Sequence, residues 1–331
     1  MDRRVLIVSV NWLGDAVMAL PALEAWSKDN SDASISVLCK PGLADFWRIT
    51  DFSQDLEFIE KGFDGTRRTA KRLRPRGFSE AFVLPNSLRS AVIPWMAKIP
   101  KRRGMNAQWR NTLLNDGVPG FPEGLHQAQE NFVLLGLPVP ELTALPPVHL
   151  SPLPGHKTES ESLLSGLDGP FWALTPGAAR GPSKKWPAEN FIQAGKELLA
   201  KEKGTILLLG GNGDATSCEE VQAGLGPRAV SLAGRTTLGG FTDVLKQCKA
   251  AIVNDSGGMH IAAVLGVPTV AIFGITDPSK TGPLGNSSVV LQHSDIRSRK
   301  VPRDCPEARA ALARVTPREV IDALQQLEVI S

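Results

Sequence analysis

The sequence predicts an α/β protein of two doubly wound domains, each a parallel sheet flanked by helices, facing a cleft. Three observations predict it. Apolar strand-like runs alternate with helical patterns in two blocks. Glycine- and serine-bearing turns directly follow several of those runs. A length of 331 residues suffices for two separate cores.

Each element is read from its local pattern. The run at residues 5–10 opens the first block; the lead before it, Met1-Asp2-Arg3-Arg4, is too short for a signal peptide, so the segment reads as a first strand. Pro21 falls inside the helical pattern that follows and is expected to break or kink it after one turn. Runs at 35–38, 56–59 and 81–84 complete the block, spaced for βαβ crossovers. Residues 137–170, rich in Pro, Ser and Gly, read as an interdomain linker with a short helix. The second block has runs at 172–175, 205–209, 229–232, 250–253 and 269–273. Near the end, Thr316 is a candidate N-cap, Pro317 takes the first helical position, and Glu319 completes a capping box. Val320, Ile321, Leu324 and Leu327 form the apolar stripe of that helix. The expected division is a domain at 1–150, a linker at 151–170 and a domain at 171–312. The segment 313–331 carries the last helix, expected to pack back toward the N-terminal domain.

Composition narrows the function. Charged residues are 21% and the formal net charge is +3, an ordinary globular composition with a mild basic bias. Cys39, Cys218, Cys248 and Cys305 form no Cys-x-x-Cys pair, so neither a zinc site nor a disulfide framework is indicated. Reduced thiols in a cytosolic protein are the plain reading. No run of about 18 apolar residues exists, so no membrane span is expected. Tyr is absent, which excludes any mechanism that needs a phenol.

The most informative stretch is Asn254-Asp255-Ser256-Gly257-Gly258-Met259-His260, a tight turn between a buried strand and a buried helix. Doubly wound sheets bind ligands outside the carboxyl ends of their strands, where this turn falls. Ser256 is placed to cap the helix, and the glycines let a ligand approach the backbone. Free N–H groups there suit a phosphate, and Asp255 suits a sugar hydroxyl. Together they point to a nucleotide-activated sugar. His260, in the first helical turn, reads equally as a core residue or a phosphate contact.

Four further segments carry chemistry. Asn11-Trp12-Leu13-Gly14-Asp15 follows the first strand. Asp15 has two readings there: a carboxylate stabilised by the helix N-terminus, or a general base facing the cleft. The loop from Thr175-Pro176-Gly177 through Arg180 to Lys184-Lys185-Trp186-Pro187 can neutralise a diphosphate, or is a solvated basic loop. Gly210-Gly211-Asn212-Gly213-Asp214 is not a G-x-G-x-x-G fingerprint, which removes the main support for a dehydrogenase; Asp214 is a candidate for a ribose hydroxyl. No Asp-x-Asp pair offers a carboxylate grip on a diphosphate-bound metal. Finally, Lys61, Arg67, Arg68, Lys71, Arg72, Arg74 and Arg76, then Arg89, Lys98, Lys101, Arg102, Arg103 and Arg110, concentrate positive charge on the first domain. Its candidate partners are nucleic acid, an anionic lipid head group or a phosphorylated sugar, beside a solvated basic face.

The segments at Asn11–Met18, Leu84-Pro85-Asn86-Ser87, Thr175 to Pro187 and Asn254 to His260, in that order, resemble the ADP-heptose:lipopolysaccharide heptosyltransferases, glycosyltransferase family nine. The resemblance spans the chain from the first strand to the final helix. It implies a GT-B fold of two Rossmann-like domains and an inverting transfer. The donor, ADP-L-glycero-β-D-manno-heptose, would be held by the C-terminal domain. The acceptor, a phosphorylated, heptosylated Kdo–lipid A core, would be held by the N-terminal domain at the cytoplasmic face of the inner membrane. By position, Asp15 would be the base and Lys184 would bind the departing diphosphate. Asp255 would bond heptose hydroxyls, and Ser256 and Gly257 would hold phosphate; His260, Thr175, Gly177 and Asp214 complete the expected donor side. Asn11, Trp12, Asn86, Ser87, Arg67, Arg68, Arg102 and Arg103 are the expected acceptor side. No cofactor or metal site is expected, magnesium being at most a non-essential stimulator, and no nucleic acid partner. Gly258 departs from the family, where a larger apolar residue is common. The competing readings are a same-family transferase with another acceptor, a non-catalytic nucleotide-sugar-binding protein, and a nucleic-acid-binding protein using the basic region.

Overall fold

The computed structural model describes residues 3–52, 55–107 and 109–330, so Met1 and Asp2 of the expected N-terminal lead lie outside it. The chain forms two compact units that divide between Ser151 and Pro152.

The first unit holds strands β1 (Arg3–Val8), β2 (Ala33–Cys39), β3 (Asp55–Phe58), β4 (Glu80–Val83), β5 (Lys101–Met105) and β6 (Asp116–Val118). Its helices are α1 (Leu13–Asp29), α2 (Ala44–Arg48), α3 (Gly62–Leu73), α4 (Leu88–Met96) and α5 (Gln127–Leu135). All sheet pairings are parallel, in the order β3-β2-β1-β4-β5-β6. The central strand is apolar without alternation and Val5 to Val8 are buried, as a strand covered on both faces requires. On one face Leu6, Val8, Ala81 and Val83 pack with Ala70 and Leu73 of α3 and Ala91 and Ile93 of α4. Phe82 meets Trp26 of α1 edge-on, with ring centroids 5.1 Å apart.

The second unit repeats the plan. It begins with α6 (Pro154–Leu164), followed by β7 (Phe171–Thr175), α7 (Ala188–Lys201), β8 (Thr205–Leu208), α8 (Ala215–Leu225), β9 (Ala229–Ser231), α9 (Leu238–Lys246) and β10 (Cys248–Asn254). Then come α10 (Gly257–Val264), β11 (Thr269–Phe273), α11 (Pro278–Thr281), β12 (Ser288–Gln292), α12 (Pro306–Arg314) and α13 (Pro317–Gln326). The parallel order β12-β11-β10-β7-β8-β9 is the same doubly wound arrangement. In each sheet the winding reverses once, between β1 and β4 and between β7 and β10. Such switch points open a crevice at the strand carboxyl ends.

Three expectations need correction. Helix α1 continues through Pro21 to Asp29. The proline forfeits one intrahelical bond, but residues 16–23 are all buried, and Asn131 Nδ2 of α5 donates to the Met18 carbonyl at 3.3 Å. Strands β5, β6 and β12 were not expected. β5 reads Lys-Arg-Arg-Gly-Met, whose charge hides any apolar alternation. Residues 154–164 are not linker: α6 belongs to the second unit, where Ser160 bonds Asp243 and Glu159 accepts from the Thr237 N–H at 2.8 Å. The last helix does have the Thr316–Glu319 capping box. Its stripe is packed in the second unit's own core with Trp172, Trp186 and Ile272.

Candidate functional site

In the second unit the switch point gathers three segments from distant parts of the chain. Asn254, at the end of β10, is fully buried. Its Nδ2 faces the carbonyls of Thr175, Pro176 and Gly177 at 3.3, 3.0 and 3.3 Å, and its Oδ1 accepts the Trp186 N–H at 2.9 Å. One amide thus ties the end of β7, the basic loop and the turn before α10. This residue stood in the sequence motif, but its tying role was not foreseen.

The next residue, Asp255, receives Lys184 Nζ on Oδ2 at 2.6 Å. The side chains are only 12% and 6% exposed, so this is a shielded ion pair at the head of α10. Lys185 turns the other way and donates to Ser217 Oγ of α8 at 3.1 Å. Of the two adjacent lysines, therefore, only Lys184 serves this turn. Gly181, at φ +99°, lets the loop reverse beside Arg303, and Ser183 N–H donates to the Arg303 carbonyl at 3.3 Å.

Ser256 occupies the N-cap position of α10 but makes no side-chain cap bond, contrary to expectation. Its hydroxyl is not committed to the first turn, whose N–H groups have no intrahelical acceptor. Gly257 and Gly258 are half-buried and His260 is buried in that same turn. A Cβ on Gly258 would stand 3.3 Å from the Phe241 ring, so Phe241 forms the wall that a larger residue at 258 would otherwise supply. Thr175 and Ser183 each bury a side-chain hydroxyl that has no protein partner among the described residues. Asp214 lies against Gly177, where a Cβ would come within 2.1 Å of its carboxylate. Its Oδ2 accepts the Gly211 N–H at 3.0 Å, which fixes the glycine turn after β8. This arrangement can offer a lysine and a helix N-terminus to an anion, and a carboxylate and hydroxyls to polyol groups.

The first unit's switch point brings together the segments after β1 and β4. Asp15 is the third residue of α1, with Trp12 at the N-cap and 48% exposed. From the first turn the carboxylate gains the helix N-terminus's stabilisation without being its N-cap residue. Its Oδ1 accepts Gln127 Nε2 of α5 at 3.0 Å. The start of α5 is itself fixed by a capping box, in which His126 Nδ1 accepts the Ala128 N–H at 3.1 Å and Gln129 Oε1 accepts the His126 N–H at 3.0 Å. Gln127 is a residue that sequence reading missed, because nothing local links it to Asp15.

Asn86 and Ser87 are exposed after β4, with Ser87 capping α4 through the Ser90 N–H at 3.3 Å. Beneath them lies Arg110, completely buried and with no carboxylate partner among the described residues. Its guanidinium donates to the Pro85 and Met105 carbonyls, the latter at 2.7 Å, and reaches Asn86 Oδ1 at 3.5 Å. Burial lowers its pKa to about 10, so it still carries charge at neutral pH.

The other expected acceptor residues divide. Asn11 is exposed beside Trp12. Arg67 is exposed on α3, and Arg68 beside it pairs with Glu60 at 2.6 Å. Arg102 and Arg103 serve the fold: Arg102 Nε donates to the Leu113 carbonyl at 2.7 Å, and Arg103 bonds Asp116 and the Leu134 carbonyl at 2.7 and 2.6 Å. Acidic residues from outside the basic span neutralise much of it, with Arg72 on Glu57 at 2.9 Å and Arg76 on Asp55 at 2.5 Å.

Comparison with known proteins bears on the family and the fold. Residues 66–311 match the family described as glycosyltransferase family 9 (heptosyltransferase). The chain is 31% identical to lipooligosaccharide heptosyltransferase 2 of Haemophilus influenzae, over 98% of its own length and 99% of that protein's. It is 28% identical to lipopolysaccharide heptosyltransferase 2 of Escherichia coli, covering 98% of each. The solved structure of E. coli ADP-heptose lps heptosyltransferase II superposes with a TM-score of 0.85 at 27% identity, covering 98% of each chain.

Proposed function

The chain belongs to glycosyltransferase family 9, the heptosyltransferases, and from that premise we propose that it moves L-glycero-D-manno-heptose from ADP-heptose to the heptosylated Kdo–lipid A inner core, the reaction of heptosyltransferase II. The enzyme is a glycosyltransferase, and its main likeness is to heptosyltransferase 2 proteins along their full length. The observation that carries the finer reading is the pair of half-sites, one at each switch point: a carboxylate oriented by Gln127 in the first unit, and the Lys184–Asp255 pair at the head of α10 in the second.

The chemistry is a single displacement. Asp15 accepts the proton of the acceptor hydroxyl as that oxygen forms its bond to the anomeric carbon of heptose. The bond from that carbon to the diphosphate oxygen breaks in the same step, its electron pair leaving with ADP, and the configuration inverts. Lys184 Nζ and the first-turn N–H groups of α10 stabilise the charge that grows on the diphosphate. Asp255 and Thr175 orient the sugar. These fixed donors supply the positive charge, so no metal is required and magnesium has at most a stimulating role.

A lipid-linked acceptor places the reaction at a membrane surface, on the cytoplasmic side of the inner membrane. No helix among the described residues is long and apolar enough to cross a membrane, so contact with the bilayer would be peripheral. The test is a panel of truncated acceptors with ADP-heptose. Addition of one heptose to the mono-heptosylated core, in the inverted anomeric configuration, is expected. Preference for a core without heptose, or for a later one, would move the chain to another heptosyltransferase of the family.

A further inference from the structure

Helices α3 and α4 cover one face of the first sheet, and their outward sides carry features that the displacement step proposed above does not use. Helix α4 reads Leu-Arg-Ser-Ala-Val-Ile-Pro-Trp-Met. Its inner stripe, with Ala91 and Ile93, packs in the core. Leu88, Val92 and Trp95 follow i, i+4, i+7 spacing and form a second apolar stripe on the outside, with Met96 half-buried at its edge against the core. Leu88 is 45% and Trp95 49% exposed. Phe63, at the start of α3, is 72% exposed.

These groups share one face. The two helices begin side by side, because Arg89 of α4 donates to the Glu60 and Gly62 carbonyls at 3.0 and 3.2 Å and to Thr66 Oγ1 at 3.2 Å. Further along, Met96 lines a groove of about 470 Å³ together with Arg67, Arg68, Lys71 and Arg74, whose charge outweighs that of Asp64, the one acid on its wall. Lys61, Arg67, Lys71, Arg74 and Lys98 are exposed, and none has an ion-pair partner among the described residues. Cations close to acids, such as Arg68 and Arg72, are already neutralised by Glu60 and Glu57.

Exposed aromatic and aliphatic groups beside uncompensated cations match an anionic bilayer surface. Rings and aliphatic chains settle at the head-group level while lysines and arginines reach lipid phosphates. A second copy of the chain fits worse, since a two-fold contact would press the same cations against each other. We propose that the α3–α4 face of the first unit docks the enzyme on an anionic lipid bilayer, deepening the reading above, on which the purpose of docking rests.

The test is flotation of the full chain with phosphatidylcholine vesicles, with and without phosphatidylglycerol, at low and high salt. Binding only to vesicles containing phosphatidylglycerol, weakened by salt, is expected. Phe63→Ser with Trp95→Ser should weaken binding about ten-fold or more, and Lys71→Ser or Arg74→Ser about five-fold each. Thermal melting of the double variant should match the parent. Its transfer rate on a de-acylated, lipid-free acceptor should be unchanged. Vesicle binding that is absent, or indifferent to all four substitutions, overturns the proposal. So does a dimer in sedimentation that the double variant abolishes, or tight single-stranded DNA binding without vesicle binding. If the parent floats with vesicles yet transfers no heptose to any acceptor, the functional reading fails while docking stands.

Discussion

Lys184 Nζ and Asp255 Oδ2 lie 2.6 Å apart with both side chains nearly buried, and both belong to the proposed donor half-site. The pair holds the ammonium beside the head of α10, where a diphosphate would take over its charge. Removing one partner of a shielded pair leaves the other uncompensated, at a cost of about 3–5 kcal/mol. Lys184→Ala is therefore expected to lower the melting temperature as well as donor affinity and rate. The double variant Lys184→Ala with Asp255→Asn should recover most of the stability but none of the transfer. Calorimetry beside kinetics separates the two effects, and unchanged kinetics in Lys184→Ala would remove its role at the diphosphate.

Asp15 is held by Gln127 from α5. Asp15→Ala should keep its fold and donor binding while transfer falls about 10²–10⁴-fold. Gln127→Ala leaves the carboxylate in place but unsteered, so a smaller fall in kcat with little change in donor KM is expected. Near-normal turnover in Asp15→Ala, measured by ADP release, would disprove the base assignment.

Asn254 is expected to act through structure. Its amide serves three carbonyls and one N–H in a fully buried place. Asn254→Ala strands those groups at about 1–3 kcal/mol for each one left unsatisfied. A large drop in unfolding free energy by urea titration is expected, and Asn254→Asp should not rescue it because a carboxylate cannot donate to the carbonyls. Wild-type stability in Asn254→Ala would show that the three segments are tied by other means.

The cysteines give a test of the fold without substitution. Burial pushes the thiol pKa of Cys39 up to about 11 and those of Cys218 and Cys248 up to about 12. All three remain protonated and shielded at neutral pH, whereas Cys305 is half-buried. Native protein at pH 8 should take up iodoacetamide at Cys305 first, and at all four thiols only after unfolding. Peptide mass mapping reads this directly; rapid labelling of Cys218 or Cys248 in native protein would contradict the packing.

Much of the fold was legible because the central strands of a parallel sheet are apolar without interruption, as in residues 5–8 and 250–253. Strand β5 was not, since Lys101, Arg102 and Arg103 read as surface charge until Glu80 and Asp116 on neighbouring strands neutralise two of them. The same blindness affected the basic region: Arg72 and Arg76 meet acids that lie earlier in the chain. In the site, the motifs after β1, β7 and β10 were legible because turns at strand ends are where such sheets bind ligands. Gln127, 112 residues from Asp15, and the partition of Lys184 from Lys185 required tertiary structure.

The most direct test is one reaction: purified enzyme, ADP-heptose and mono-heptosylated Kdo–lipid A, with ADP release and acceptor mass followed together. One ADP released for each heptose gained by the acceptor is the expected result. ADP release without mass gain, or donor binding with neither, would contradict heptosyl transfer as the activity of this chain.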